Sequence, residues 1–129
     1  MSWKMDYLPA ENLVVIECAG ELTIQDLLSQ TQAANKFRVE NGAQGVLADF
    51  TAANVRIPLS EIYQLPDYYD KIGVSRQNRI AVVFPPNLHQ HDKYQFYEDV
   101  CHNRGYHSRI FDNLKQARAW LNDGAGQTF

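Results

Sequence analysis

The chain is poor in cysteine, has no long apolar run and carries no excess of positive charge. Its two cysteines, Cys18 and Cys101, stand far apart with no C-x-x-C spacing, so no paired redox or zinc motif is present. Neither is flanked by the Lys or Arg cluster that lowers a thiol pKa, and both read as small buried hydrophobes. His102 follows Cys101, but adjacent helical residues point about 100° apart, which spoils a Cys-His dyad. A chain of 129 residues buries roughly two-thirds of its unfolded surface and needs neither disulfides nor a structural metal. Twelve Lys and Arg stand against fifteen Asp and Glu, a net charge of -3, which argues against a nucleic-acid partner. No window approaches the ~20 apolar residues of a membrane span, so integral membrane contact is not expected. Residues 1–10 lack the positive cluster and apolar core of a secretory signal; the expectation is a cytoplasmic protein. Also missing are a Gly-rich phosphate loop, a G-x-S-x-G elbow and a Glu-x-x-His pair. Accordingly no catalytic residue, cofactor or metal is expected.

What is present is an alternation of strand and helix signals without repeats or linkers. Trp3, Met5 and Tyr7 alternate with Lys4, Asp6 and Leu8, then Pro9-Ala10-Glu11-Asn12 supplies turn chemistry before Leu13-Val14-Val15-Ile16, predicting an opening β-hairpin. Its second arm should run to about Ala19, broken by Gly20. Thr23-Ile24-Gln25-Asp26 has capping-box form, and Ile24, Leu27, Leu28, Thr31, Ala34 and Phe37 mark the apolar stripe of a long helix stopped at Gly42. Gly45 to Phe50 is a short apolar run, the form of a central parallel strand covered on both faces, and 51–56 reads as a loop. Pro66 falls inside helical spacing and predicts an irregular segment from Leu59 to Ile72, ending at Gly73. Arg79 to Phe84 is the clearest strand, ended by Pro85-Pro86; a helix capped by Asn87 follows, with Lys93, Phe96, Tyr97, Val100 and Cys101 on one face. A short strand, 108–111, and a helix from near Asn113 complete the chain, with a core of about 5–122 and a tail, 123–129, expected to fray. The order β-β-α-β-α-β-α-β-α predicts one α/β domain: a mostly parallel mixed sheet of about five strands with four helices.

Three groups of residues invite a functional reading. His89 and His91 stand at i and i+2 near a helix start, which is wrong for a metal pair needing i and i+4 and puts a cation at the positive end of the dipole; if His89 or His91 acts, an anion is its better ligand. Asp49, Thr51, Asn87 and Asp112 should approach one another outside the carboxyl ends of parallel strands, where ligands bind in such sheets, although a lone Asp there is more often a turn group. An enzyme using Asp49 with a histidine is the weakest of the three function classes weighed. Finally, Tyr63, Tyr68 and Tyr69 in the Pro66 segment and Tyr94, Phe96 and Tyr97 on the next helix either fill the core or form a partner surface or pocket.

The strings Thr23 to Leu28, Val46 to Thr51, Arg79 to Phe84 running into Pro-Asn-Leu, and Arg109 to Asn113 followed by Ala117 to Leu121 together resemble the SpoIIAA-like family of the STAS superfamily, also described as CRAL-TRIO-like. The resemblance is one of pattern and order, over roughly residues 5 to 122. It implies a SpoIIAA-like single domain in a small cytoplasmic bacterial protein, acting as a non-catalytic interaction or regulatory module. STAS domains that antagonise anti-sigma factors carry a phosphorylatable serine in an Asp-Ser-Ser-Gly-like turn; here the comparable region reads Arg56-Ile57-Pro58-Leu59-Ser60-Glu61. The motif is missing, and Ser60 is the nearest hydroxyl. Lipid-binding CRAL-TRIO domains imply the alternative, a carrier or sensor of a small apolar or lipid-like ligand in a small pocket. The expected partner is thus an unknown protein or a small apolar ligand, with a homodimer possible. The candidate surface comprises Asp49, Thr51, Ser60, Tyr63, Tyr68, Tyr69, Asn87, His89, Tyr94 and Tyr97.

Overall fold

The structure, a computed structural model, describes residues 2–84 and 91–125. Its strands are β1 (Ser2–Leu8), β2 (Leu13–Leu22), β3 (Gly45–Val55), β4 (Arg79–Val83) and β5 (His107–Phe111), and its helices are α1 (Ile24–Asn41), α2 (Leu59–Ile62), α3 (Leu65–Ile72), α4 (His91–Asn103) and α5 (Leu114–Ala125). The strands form one sheet in the order β1-β2-β3-β4-β5. β1 and β2 make the antiparallel hairpin, and every later neighbour is parallel. Because each strand is added on the same side with a right-handed crossover, α1, the α2–α3 pair and α4 fall on one face. No described strand follows α5, and it packs on the other face.

Period-two alternation divides the strands accordingly. Ile16, Cys18, Ala48, Phe50, Val82 and Phe84 face α1, α3 and α4, whereas Leu13, Leu47, Ala81 and Val83 meet Ala117 and Leu121 of α5. Glycine is required at position 45 by close approach: a Cβ there would lie 2.8 Å from the Arg79 carbonyl oxygen, 3.1 Å from Leu121 and 3.3 Å from Leu13.

The local signals behave as their chemistry predicts in most places. Thr23 and Asp26 form a reciprocal capping box on α1, and Gly42 closes that helix in the left-handed conformation at φ 64°. Pro66 does not kink one helix but separates two, because Leu65 and Pro66 open α3, where a missing N–H costs nothing. Gly73 ends α3 as expected.

Four expectations about elements are corrected. β2 continues past Gly20, at φ 92°, to Leu22. The stretch 51–55 is strand rather than loop, since Ala19 to Leu22 pair with Ala52 to Val55 and supply the hydrogen bonds that its composition does not suggest. β5 begins one residue earlier, at His107. At the carboxyl end α5 runs on to Ala125, through part of the tail expected to fray; residues 126–129, like Asn87 and its cap, lie outside the described residues.

Candidate functional site

Between the sheet and the helices of its three-crossover face lies a cavity of about 90 Å³ available to the centres of water-sized spheres, several times the roughly 10–15 Å³ that one water needs by that measure. Small side chains on two of its walls contribute to it. Ala48 sits mid-strand on β3 and Ala34 on α1, both buried, so the sheet and the helix meet across a gap that larger residues would close. Thr31 and Asn35 extend the α1 wall, Leu65, Tyr69 and Val74 come from α3 and its end, and Lys93, Tyr94 and Tyr97 from α4.

The tyrosines on this wall have separate duties. The Tyr69 and Tyr97 hydroxyls are 2.7 Å apart, and Tyr97 is 2.7 Å from Ser108 Oγ, making a buried chain of three hydroxyls from α3 through α4 to β5. Burial raises both phenols well above their ordinary pKa and pushes the Cys101 thiol beside them up to about 12, so all are neutral, and the thiol is no nucleophile. Tyr94 stacks on Phe84 with centroids 3.9 Å apart. Its hydroxyl pKa is also raised by burial.

The α3 wall is anchored from outside. Asp70 accepts from Tyr106 Oη and pairs with Arg76 at 2.7 Å and Arg104 at 2.7 Å, while Arg104 also reaches Asp67 at 2.6 Å. The Tyr106 hydrogen bond, followed by those two guanidinium groups, holds the Asp70 carboxyl below its ordinary range. The same contact and its desolvation push the Tyr106 phenol up to about 12, with burial the larger cause. Tyr68 Oη donates to the Leu28 carbonyl at 3.0 Å and ties α3 to α1.

Of the sequence-predicted residues, Tyr69, Tyr94 and Tyr97 line the cavity. Tyr63 directly follows α2, 63% exposed, stacked on Phe96 at 6.5 Å; Ser60 is on that short helix and exposed. Tyr68 is a structural tie. Asp49 and Thr51 are elsewhere. At the register shift where Glu17 pairs with Asp49 but Ala19 with Ala52, Asp49 Oδ1 accepts from Thr51 N at 3.0 Å and from Thr51 Oγ1 at 2.7 Å. Its carboxylate is thus engaged locally, two residues on, and lies inside β3 rather than at a strand end. Both border a recess of about 370 Å³ with Lys4 and Glu17 on the hairpin, a different place from the cavity. Asp112 follows β5, two strands along from β3, and accepts from Asn113 Nδ2 at 3.2 Å. Asn87 and His89 lie outside the described residues, and among the described residues no three His, Cys, Asp or Glu side chains are grouped to hold a metal.

Two cavity residues were not legible in advance. Asn35 falls beside the apolar stripe of α1, and Asn78 precedes β4 in what reads as a turn, yet both line the cavity. The only signal for Asn35 was its place one turn after Thr31, on the face that α1 turns to the sheet.

No family model matches the chain, and no curated protein matches it in sequence. Solved structures do. The anti-sigma factor antagonist SpoIIAA in its unphosphorylated form superposes with a TM-score of 0.56 at 14% identity, covering 98% of this chain and 100% of that one. The phosphorylated form of SpoIIAA, a Bacillus cell fate determinant, gives 0.52 at 14% identity over 93% and 99%. An uncharacterized DUF3478-family protein with a SpoIIAA-like fold from Shewanella loihica PV-4 gives 0.58 at 16% identity over 93% and 92%. With its five-stranded mixed sheet, three crossovers on one face and a last helix on the other, the chain has a SpoIIAA-like fold.

Proposed function

We propose that the protein is a non-catalytic ligand-responsive module of the cytoplasm, holding a small apolar or lipid-like molecule between its sheet and α1, α3 and α4. The observation that carries this reading is the cavity, walled mainly by aliphatic and aromatic side chains, with the small residues Ala34 and Ala48 among them. Those polar groups whose partners are evident support binding rather than chemistry: the Tyr69 and Tyr97 hydroxyls are engaged with each other and with Ser108, and Thr31 Oγ1 donates to the Leu27 carbonyl at 2.7 Å. Native mass spectrometry of freshly purified protein, set against the denatured intact mass, tests it. Extra mass lost on denaturation is the expected result. An apo mass that takes up no alkyl probe overturns it.

A second reading has its own observation. Leu59 on α2 is 50% exposed and Tyr63, directly after that helix, 63%, an apolar rim suited to a protein partner or a second copy, on a fold shared with an anti-sigma factor antagonist. A ligand-free native mass, at monomer or dimer, favours that interaction module, and the Leu59→Ser, Tyr63→Ser double variant would then weaken any dimer observed.

A further inference from the structure

We infer that β1 is the seam of a homodimer: it pairs antiparallel with β1 of a second copy, about a two-fold axis at Met5, and joins two five-stranded sheets into one. This does not depend on the cavity being a ligand site. β1 is an edge strand of seven residues, bonded to β2 on one side. Among the described residues no second strand and no side chain takes its outer main-chain groups. The opposite edge is treated differently, since the Ile110 N–H of β5 donates to Glu98 of α4 at 3.0 Å. β1 also has no proline, glycine or bulge to turn a neighbour away.

The side chains of β1 complement themselves in one register. With Met5 opposite the second copy's Met5, Lys4 stands opposite the second copy's Asp6 and Trp3 opposite its Tyr7, each pair occurring twice by symmetry. Lys4, 3.7 Å from Glu17 of its own chain, then lies between two carboxylates. Asp6 is exposed and faces Val15 across the hairpin, so the pairing brings it the cation that no described residue supplies. Trp3, Met5 and Tyr7 oppose Cys18, Ile16 and Val14, which places them on the α1 face, where they form one apolar strip across the seam. A slip of two residues in one direction sets Lys4 against Lys4, and in the other Asp6 against Asp6, so charge selects the register. An edge lysine ordinarily keeps strands away; here it admits one that presents an acid.

Sedimentation velocity of the full chain between about 2 and about 500 µM makes the test, and a reversible dimer is expected. Lys4→Asp sets acid against acid at both symmetry-related positions and should weaken dimerisation about tenfold or more, as should Asp6→Lys. The double variant Lys4→Asp, Asp6→Lys exchanges the charges and should return affinity to within about fivefold of wild type. Thermal melts check that each variant folds; should one single variant not, the other and the double variant still decide. Leu59→Ser, Tyr63→Ser leaves this dimer intact. A chain monomeric throughout that range overturns the inference. So does a dimer that ignores the single reversals, one that the double variant fails to restore, or one lost to the Leu59, Tyr63 pair.

Discussion

Tyr69 of α3 and Tyr97 of α4 meet hydroxyl to hydroxyl at 2.7 Å beside the cavity, and Tyr97 alone continues the chain to Ser108. The two phenols are therefore unequal despite similar burial. Tyr97→Phe strands the buried Tyr69 hydroxyl, takes a partner from Ser108 and is expected to cost about 2–3 kcal/mol, whereas Tyr69→Phe leaves Tyr97 bonded to Ser108 and should cost about 0.5–1.5 kcal/mol. Urea unfolding of the two variants checks the order; equal losses would mean that the chain is not a connected unit.

The same cluster sets a limit at alkaline pH. Burial raises the phenols of Tyr69 and Tyr97 and takes the Cys101 thiol to about 12, and burial with the Asp70 contact takes Tyr106 to about 12. In the unfolded chain a thiol titrates near ~8.5 and a phenol near ~10. Between those values and the folded ones the unfolded state has released protons that the native state still holds. The contribution is thus whole below the unfolded pKa and declines as pH rises, by up to about 1.4 kcal/mol per pH unit for each group. Unfolding midpoints should start to fall above about pH 8.5 and fall faster beyond about pH 10, and Cys101→Ala should remove the earlier part of the decline.

Backbone space gives a prediction independent of the cavity. Gly45→Ala would put a Cβ 2.8 Å from the Arg79 carbonyl oxygen at the start of the central strand, where β3 is paired with β2 and β4 and cannot yield without disturbing that pairing. A loss of about 1–3 kcal/mol is expected. Gly42→Ala is the contrast: open space surrounds its Cβ, and the cost, about 1–2 kcal/mol, comes from φ 64° alone. Gly42→Asn should recover part of it because asparagine tolerates that conformation, while Gly45→Asn should be worse than Gly45→Ala. Thermal melts of the four variants distinguish clash from strain.

These residues also show what could be read in advance. The capping box at Thr23, the stop at Gly42, the hairpin and the Pro66 break are local chemistry, written within a few positions of where they act. The length of β3 was not, because Thr51 to Val55 are held as strand by β2, and pairing partners distant in sequence leave no local mark. The tyrosines at 69, 94 and 97 could be named as pocket candidates by type and spacing. Asn35 and Asn78 could not: polar residues beside a stripe or before a strand look solvated until α1 and β4 are packed around one space. Asp49 drew attention by its expected place at a strand end, yet its partner was two residues away.

Filling the cavity from the sheet side separates its role in binding from its cost in stability. Ala48 is buried mid-strand and faces the space directly, and a β-branched replacement suits a strand. Ala48→Ile adds three carbons where the walls now lack contact, so packing should gain rather than strain, with unfolding free energy unchanged or raised by about 0.5–2 kcal/mol. The added side chain occupies the volume an alkyl ligand needs, and octan-1-ol affinity should drop at least about tenfold. A stable variant that no longer binds ties the ligand to this space. A variant that binds as before while losing more than about 1 kcal/mol would show that Ala48 is small because the sheet and α1 pack tightly there, and that the ligand sits elsewhere.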